Sequence, residues 1–202
     1  MAFYNKIKWV LGILMVFVLI ITTNLIDRNN FVRVKDSVET IYEDRLIAND
    51  LIFEMTKLVQ EKELAVATTN EAFFKEENRV INNDIQRYIE QFEQTKLTRK
   101  ETEVFESLKY NFDQVEKSES SFIASGFITT DKLSTQITDI KQDLYDLSKI
   151  QLNEGRRQMS ISKKALDTVE LFTQMEIYLL VFLAIVIQII VMYNPKSKKA
   201  NL

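Results

Sequence analysis

Two runs of 18 residues without a single charge, Trp9–Ile26 and Ile177–Asn194, bracket this 202-residue chain. A helix rising about 1.5 Å per residue needs about 20 apolar residues to cross a hydrocarbon core of about 30 Å, so each run can span one. Everything between them is then tied at both ends to the same face of a bilayer. The apolar part of a cleavable signal peptide is shorter, about 7 to 15 residues, and precedes small residues at its cleavage site. Here the first run closes on Asn24, Leu25, Ile26 and Asp27, which reads as an uncleaved anchor.

Charge orients the two spans. Residues 1–8 carry Lys6 and Lys8, the segment 195–202 carries Lys196, Lys198 and Lys199, and neither holds an acid. The positive-inside rule therefore predicts both in the cytoplasm, spans over 9–26 and 177–194, and a segment 27–176 outside the cytoplasmic membrane. That segment holds all 29 acidic residues against 21 basic ones, a net charge of −8. Trp9, Tyr178 and Tyr193 fall near the span ends, where amphipathic rings favour the interface.

Three Gly and one Pro leave too few turns for sandwiches, barrels or doubly wound folds, so the expectation is all-α. With no His and no Cys, the usual zinc sites, haem ligation, Ser/His or Cys/His catalysis and disulfides are excluded, and no cofactor or metal is expected. No nucleophile and base stand at a credible spacing, so the chain does not read as an enzyme. Walker loops and basic aromatic patches for nucleic acid are also absent from the sequence.

Apolar residues at spacings of three and four predict four helices in the outer segment. The first runs to about Thr68 with Phe31, Val34, Val38, Ile41, Ala48, Ile52, Met55, Val59 and Val66 on one stripe, and Asn70 is placed to cap the second. The second, about 71–95, carries Phe74, Ile81, Ile85, Tyr88 and Phe92. Thr98 and Glu101 form a capping-box pattern that opens the third, with Phe105, Leu108, Phe112, Val115 and Phe122. The third ends near Gly126. The fourth starts at Thr129, Thr130 and Asp131, follows Leu133, Ile137, Ile140, Leu144 and Leu147, and leads into the second span. Short connections make neighbours antiparallel, giving an up-down-up-down four-helix bundle whose outer helices continue into the membrane.

The first and fourth helices are longer than the other two, which leaves a stem of two helices. Phe31, Val34, Val38, Val169 and Phe172 have too little to pack on there, so a homodimer completing a four-helix stem is expected. Higher on the seam, Arg45 is expected to pair with Glu154, within or between subunits, with Gln151 and Gln158 satisfying the remaining groups, as a buried layer that fixes register or serves as a switch. Lys62 is expected to lay a solvated stem over the seam. Gln188, inside the second span, can bond another helix.

The run Ile41-Tyr42-Glu43-Asp44-Arg45-Leu46 soon after a first span, with Leu147, Ile150, Gln151, Glu154 and Gly155 ahead of a second, resembles the four-helix-bundle sensory domain of methyl-accepting chemotaxis proteins. The likeness covers residues from about 5 to 194. It implies an extracytoplasmic dimer that binds small molecules or binding proteins and passes a small helix displacement inward. The resemblance does not extend to the family's cytoplasmic linker and signalling hairpin, since Pro195 and three lysines follow Asn194. Nor does it extend to the row of arginines on the first helix of the amino-acid-binding members, as Lys57 and Lys62 are the basic residues between Arg45 and Lys75. Two functions are weighed: a sensor that recognises a small ligand or protein and acts through a partner membrane protein, and a structural or accessory subunit of an envelope complex.

Overall fold

A computed structural model describes residues 2–128 and 131–192. Thr129, Thr130, Tyr193 and the lysine-bearing segment 195–202 lie outside the described residues. Those described are helical with no strand among them: α1 (Ala2–Thr40), α2 (Ile47–Ala67), α3 (Asn78–Glu93), α4 (Arg99–Ala124) and α5 (Asp131–Met192). A π-helical turn, Ile41–Leu46, carries α1 into α2, and a second, Phe73–Glu77, leads into α3.

Each break has a local cause. After α2, Thr69 adopts a left-handed φ of 50°, so that Asn70 N–H donates to the Ala65 carbonyl and Thr69 N–H to that of Val66. Asn70 then accepts from Phe73 N–H at 3.2 Å, the expected cap. At Thr98 the capping box is complete, its side chain accepting from Glu101 N–H and the Glu101 carboxylate accepting from Thr98 N–H. Gly126, with φ 71°, ends α4 in the same way as Thr69 ends α2, and Phe127 N–H reaches the Phe122 carbonyl.

Contacts divide the chain into two compact units, one from Ser37 to Ser160 and one made by the described residues up to Asp36 with those from Ile161. In the first, one apolar core gathers Ala48, Ile52, Met55 and Val59 of α2, Ile81 and Ile85 of α3, Phe105 and Leu108 of α4, and Ile140 and Leu144 of α5. Phe74, Phe122 and Phe127 stack edge to face or tilted, with centroids 5.2–6.0 Å apart, at one end of it.

Among the described residues of the second unit the buried side chains are Thr23, Asn30, Ser162 and Ala165, while Phe31, Leu166, Leu171 and Met175 are exposed. Segments Gly12–Ala67 and Asp131–Val186 each contain an 18-residue window apolar enough to cross a membrane, with mean hydropathy 1.4 and 1.9 and hardly any of either window buried.

The first π turn corrects the stripe expected on the first helix. Buried residues recur every seven positions at Thr23, Asn30 and Ser37, and again at Arg45, Ile52, Val59 and Val66, but Ser37 and Arg45 are eight apart. A π turn holds about one more residue than an α turn and absorbs the extra one. The stripe through Phe31 and Val38 therefore runs on to Leu46 and Phe53, all four exposed, rather than into Arg45 and Ile52.

Candidate functional site

Two ion pairs are buried among the described residues, and both lie in the Ser37–Ser160 unit. Arg45 projects from the first π turn. Its Nη1 donates to Glu101 Oε1 at 2.5 Å and to Gln151 Oε1 at 2.9 Å, and its Nη2 donates to the Lys96 carbonyl at 3.0 Å. One guanidinium thus ties the π turn to the loop after α3, the first turn of α4 and the middle of α5. Glu101 is fully buried because it serves twice, one oxygen closing the capping box and the other taking Arg45. Such charge-assisted bonds are stronger than neutral ones, and breaking one leaves a desolvated charge.

The second node sits deeper in the core. Lys62, 1% exposed, donates to Glu119 Oε1 at 2.5 Å and to Asn78 Oδ1 at 2.6 Å. Asn78 and Asn82 in turn donate to Glu119 Oε2 at 2.9 and 3.1 Å. Asn78 is the first residue of α3, directly after the second π turn, so each buried ion-pair node has a member in or beside such a turn. Burial pushes the Lys62 ammonium below the usual lysine range, with the Glu119 carboxylate opposing that shift. Lys62 is therefore a core residue and not a solvated stem, a correction whose cause is the pair of acceptors that Asn78 of α3 and Glu119 of α4 supply.

The expected layer is only partly assembled. Arg45 and Gln151 are buried and bonded to each other, but Glu154 is half-buried and held by Arg157 at 2.7 Å, and Gln158 is half-buried with no bond to Arg45. The Arg45–Glu154 pairing is thereby corrected to Arg45–Glu101. The cause is register: Asn49 meets Ser148 and Arg45 meets Gln151, so the α5 residue that faces Arg45 comes three positions, nearly one turn, before Glu154.

Of the stem residues, Phe31 and Val38 are 71% and 57% exposed, whereas Val34, Val169 and Phe172 are half-buried. Gln188 is exposed. Glu101 and Glu119 were the functional-type residues that sequence reasoning passed over. Glu119 did carry a signal, since it continues the apolar spacing of Leu108, Phe112 and Val115 as Lys62 continues that of Met55 and Val59. Opposite charges interrupting two core stripes are a pair waiting to be matched. Beside the Arg45 node lies an open groove of about 590 Å³ between the π turn and α5, with Gln151, Gly155 and Arg156 in its wall. No group of acidic side chains able to hold a metal ion occurs among the described residues.

A family model described as a four helix bundle sensory module for signal transduction matches residues 4–166. Neither the curated proteins nor the solved structures gave a match.

Proposed function

The chain belongs to the family of four-helix-bundle sensory modules for signal transduction, and we propose that it works as a chemoreceptor-like membrane sensor. In this reading α1 and α5 cross the cytoplasmic membrane over 9–26 and 177–194, and residues 1–8 and 195–202 face the cytoplasm. Residues 27–176 form an antiparallel up-down-up-down bundle outside it. The bundle recognises a small ligand or a protein, and two copies associate through Phe31, Val34, Val38, Val169 and Phe172. The state of the dimer passes to a partner membrane protein, with Gln188 bonding a neighbouring helix in the bilayer. Arg45 and Gln151, flanked by Glu154 and Gln158, are the polar layer at which helix displacement is felt.

The observation that carries this reading is that the two-helix unit keeps polar side chains inside and turns Phe31, Leu166 and Leu171 outward. A lone pair of helices in water does the reverse, so these faces belong against lipid or other helices. The same faces would also suit a scaffold subunit of an envelope complex, which differs in needing no ligand.

Topology is the first test. Phe3→Cys and Ala200→Cys should resist an impermeant thiol reagent in intact cells, while Lys100→Cys reacts. Labelling at position 3 or 200 would overturn the orientation.

A further inference from the structure

The π turn Ile41–Leu46 joins two stretches of helix whose inward faces are out of phase by one residue. Of its side chains Arg45 alone is buried, and among the described residues Arg45 alone hydrogen-bonds to other elements, through Glu101, Gln151 and the Lys96 carbonyl. Tyr42, Glu43 and Leu46 are exposed. By its polar contacts the turn is pinned at a single point.

A change of inward face does not in itself require a π turn. On α5, Ile140 and Leu147 are seven apart, as are Ser162 and Val169, and all four are buried or half-buried. Leu147 and Ser162 are fifteen apart, one more than two heptads, yet α5 is an uninterrupted α-helix. There the extra residue is spread over several turns, as changes of repeat are in coiled coils. On the path from α1 to α2 it is gathered beside Arg45 instead.

The sequence also supports the unbroken alternative. Without the π turn, Phe31 and Val38 fall in line with Arg45, Ile52, Val59 and Val66, a heptad apolar at all positions but one. The present register puts Asn30 and Ser37 in that line, leaves Asn30 Nδ2 buried with no partner among the described residues, and exposes Phe31 and Val38. The two registers differ in which face of residues 30–38 looks outward, so a change in what lies against that face shifts the balance between them.

We propose that the π turn is a two-position register switch. In its present position it holds the extra residue. In the other it relaxes to α-helix, and with Arg45 as the pivot the residues up to Thr40 turn by about 100° and advance by about 1.5 Å along the helix axis. Phe31 and Val38 then take the inward face, while Asn30 and Ser37 move to the directions now held by the exposed Asn29 and Asp36. The proposal deepens the sensor reading and rests on it only for the use made of the switch.

The test uses the full chain, which has no cysteine of its own, in nanodiscs at one copy each, and reads the rate at which a water-soluble maleimide labels Ser37→Cys or Val38→Cys. In the parent, position 38 should label faster, since Val38 is 57% exposed and Ser37 3%. Asn30→Asp, at about pH 8, places on the inward face a carboxylate that the α position turns out to water. It should raise labelling at position 37 about tenfold and lower it at position 38 by a similar factor, a crossover that general loosening does not give, because loosening raises both. Deleting Glu43, an exposed residue of the turn, leaves Ser37 and Arg45 seven apart in an unbroken α-helix, so that variant should keep the parent's pattern and show no crossover with Asn30→Asp. The proposal is overturned if Asn30→Asp leaves both rates at the parent values, if it raises both, or if the crossover persists without Glu43. Should the deletion variant fail to fold, the two rates in the full-length chain decide the matter by themselves. Labelling of positions 3, 100 and 200 in cells reports orientation alone, so a reversed topology and an absent crossover are separate results.

Discussion

In the unit from Ser37 to Ser160 the side chains removed from water are mostly Ile, Leu, Val, Met and Phe, with Lys62–Glu119 and Arg45–Glu101 set among them. Among the described residues of the unit made of the two outer segments they are Thr23, Asn30, Ser162 and Ala165, while Phe31, Leu166 and Leu171 are exposed and Val34, Val169 and Phe172 are half-buried. The first arrangement is what a bundle needs to hold itself together in water. The second is complete only with something apolar around it. Asn30 Nδ2 and Ser162 Oγ are buried with no hydrogen-bond partner among the described residues, so these polar groups add nothing to the hold of the helix pair.

The comparison is broken most severely by attacking the bundle's buried charges. Glu119→Leu leaves the Lys62 ammonium buried with only Asn78 to accept from it, and should destabilise the full chain by about 3 to 5 kcal/mol in a denaturant melt. Combining it with Lys62→Met should return the stability to the parent value or above, because an apolar pair of similar volume has no charge to desolvate. Arg45→Ala should cost somewhat less, about 3 kcal/mol, since Glu101 keeps its bond from Thr98 N–H. If Arg45→Ala melts with the parent, the node does not hold the helices together.

The same kind of change in the other unit should have the opposite sign and a smaller size. Asn30→Val removes a buried amide with an unpaired donor and should leave the melt unchanged or raise stability by about 1 kcal/mol. A loss as large as that at Glu119 would erase the distinction between the two units.

The smallest effect is a pH dependence at Asp143. Burial, with Asp139 and Asp146 nearby, pushes its carboxyl above the usual aspartate range, while bonds from Asn111 and Ser107 pull the other way. The folded state therefore favours the protonated form. That contribution is present below the usual aspartate pKa and is lost as pH rises through the higher folded-state value. Asp143→Asn should melt slightly above the parent at neutral pH and lose that advantage near pH 4, at about the unfolded-state value.

Much of the fold was legible because it follows from local rules. The long apolar runs, the Thr98–Glu101 box, the Asn70 cap and the end at Gly126 are each written within a few residues. The partner of Arg45 was not. Glu101 reads as a capping residue, and one carboxylate oxygen satisfies that role, so nothing local shows that the other is free for a guanidinium 56 positions away. The π turn was invisible for a different reason. A heptad drawn through Phe31, Val38, Arg45 and Ile52 is unbroken on paper, and only the burial of Ser37 and Arg45, eight apart, reveals the added residue. Lys62 was misread because a lone cation is better tolerated in water than in a core, and its acceptors come from distant parts of the chain.

The central claim is the proposed dimer, in which a second copy covers the outward apolar stripe through Phe31 and Val38 while the polar stripe through Asn30 and Ser37 stays inside each subunit. Single-cysteine variants from position 30 to 38 of the full chain, oxidised in native membranes, measure this directly. The account predicts disulfide-linked dimers that peak at Phe31→Cys, Val34→Cys and Val38→Cys and fall to a minimum at Asn30→Cys and Ser37→Cys. Dimers that peak at positions 30 and 37, or none at any of these positions, would contradict it.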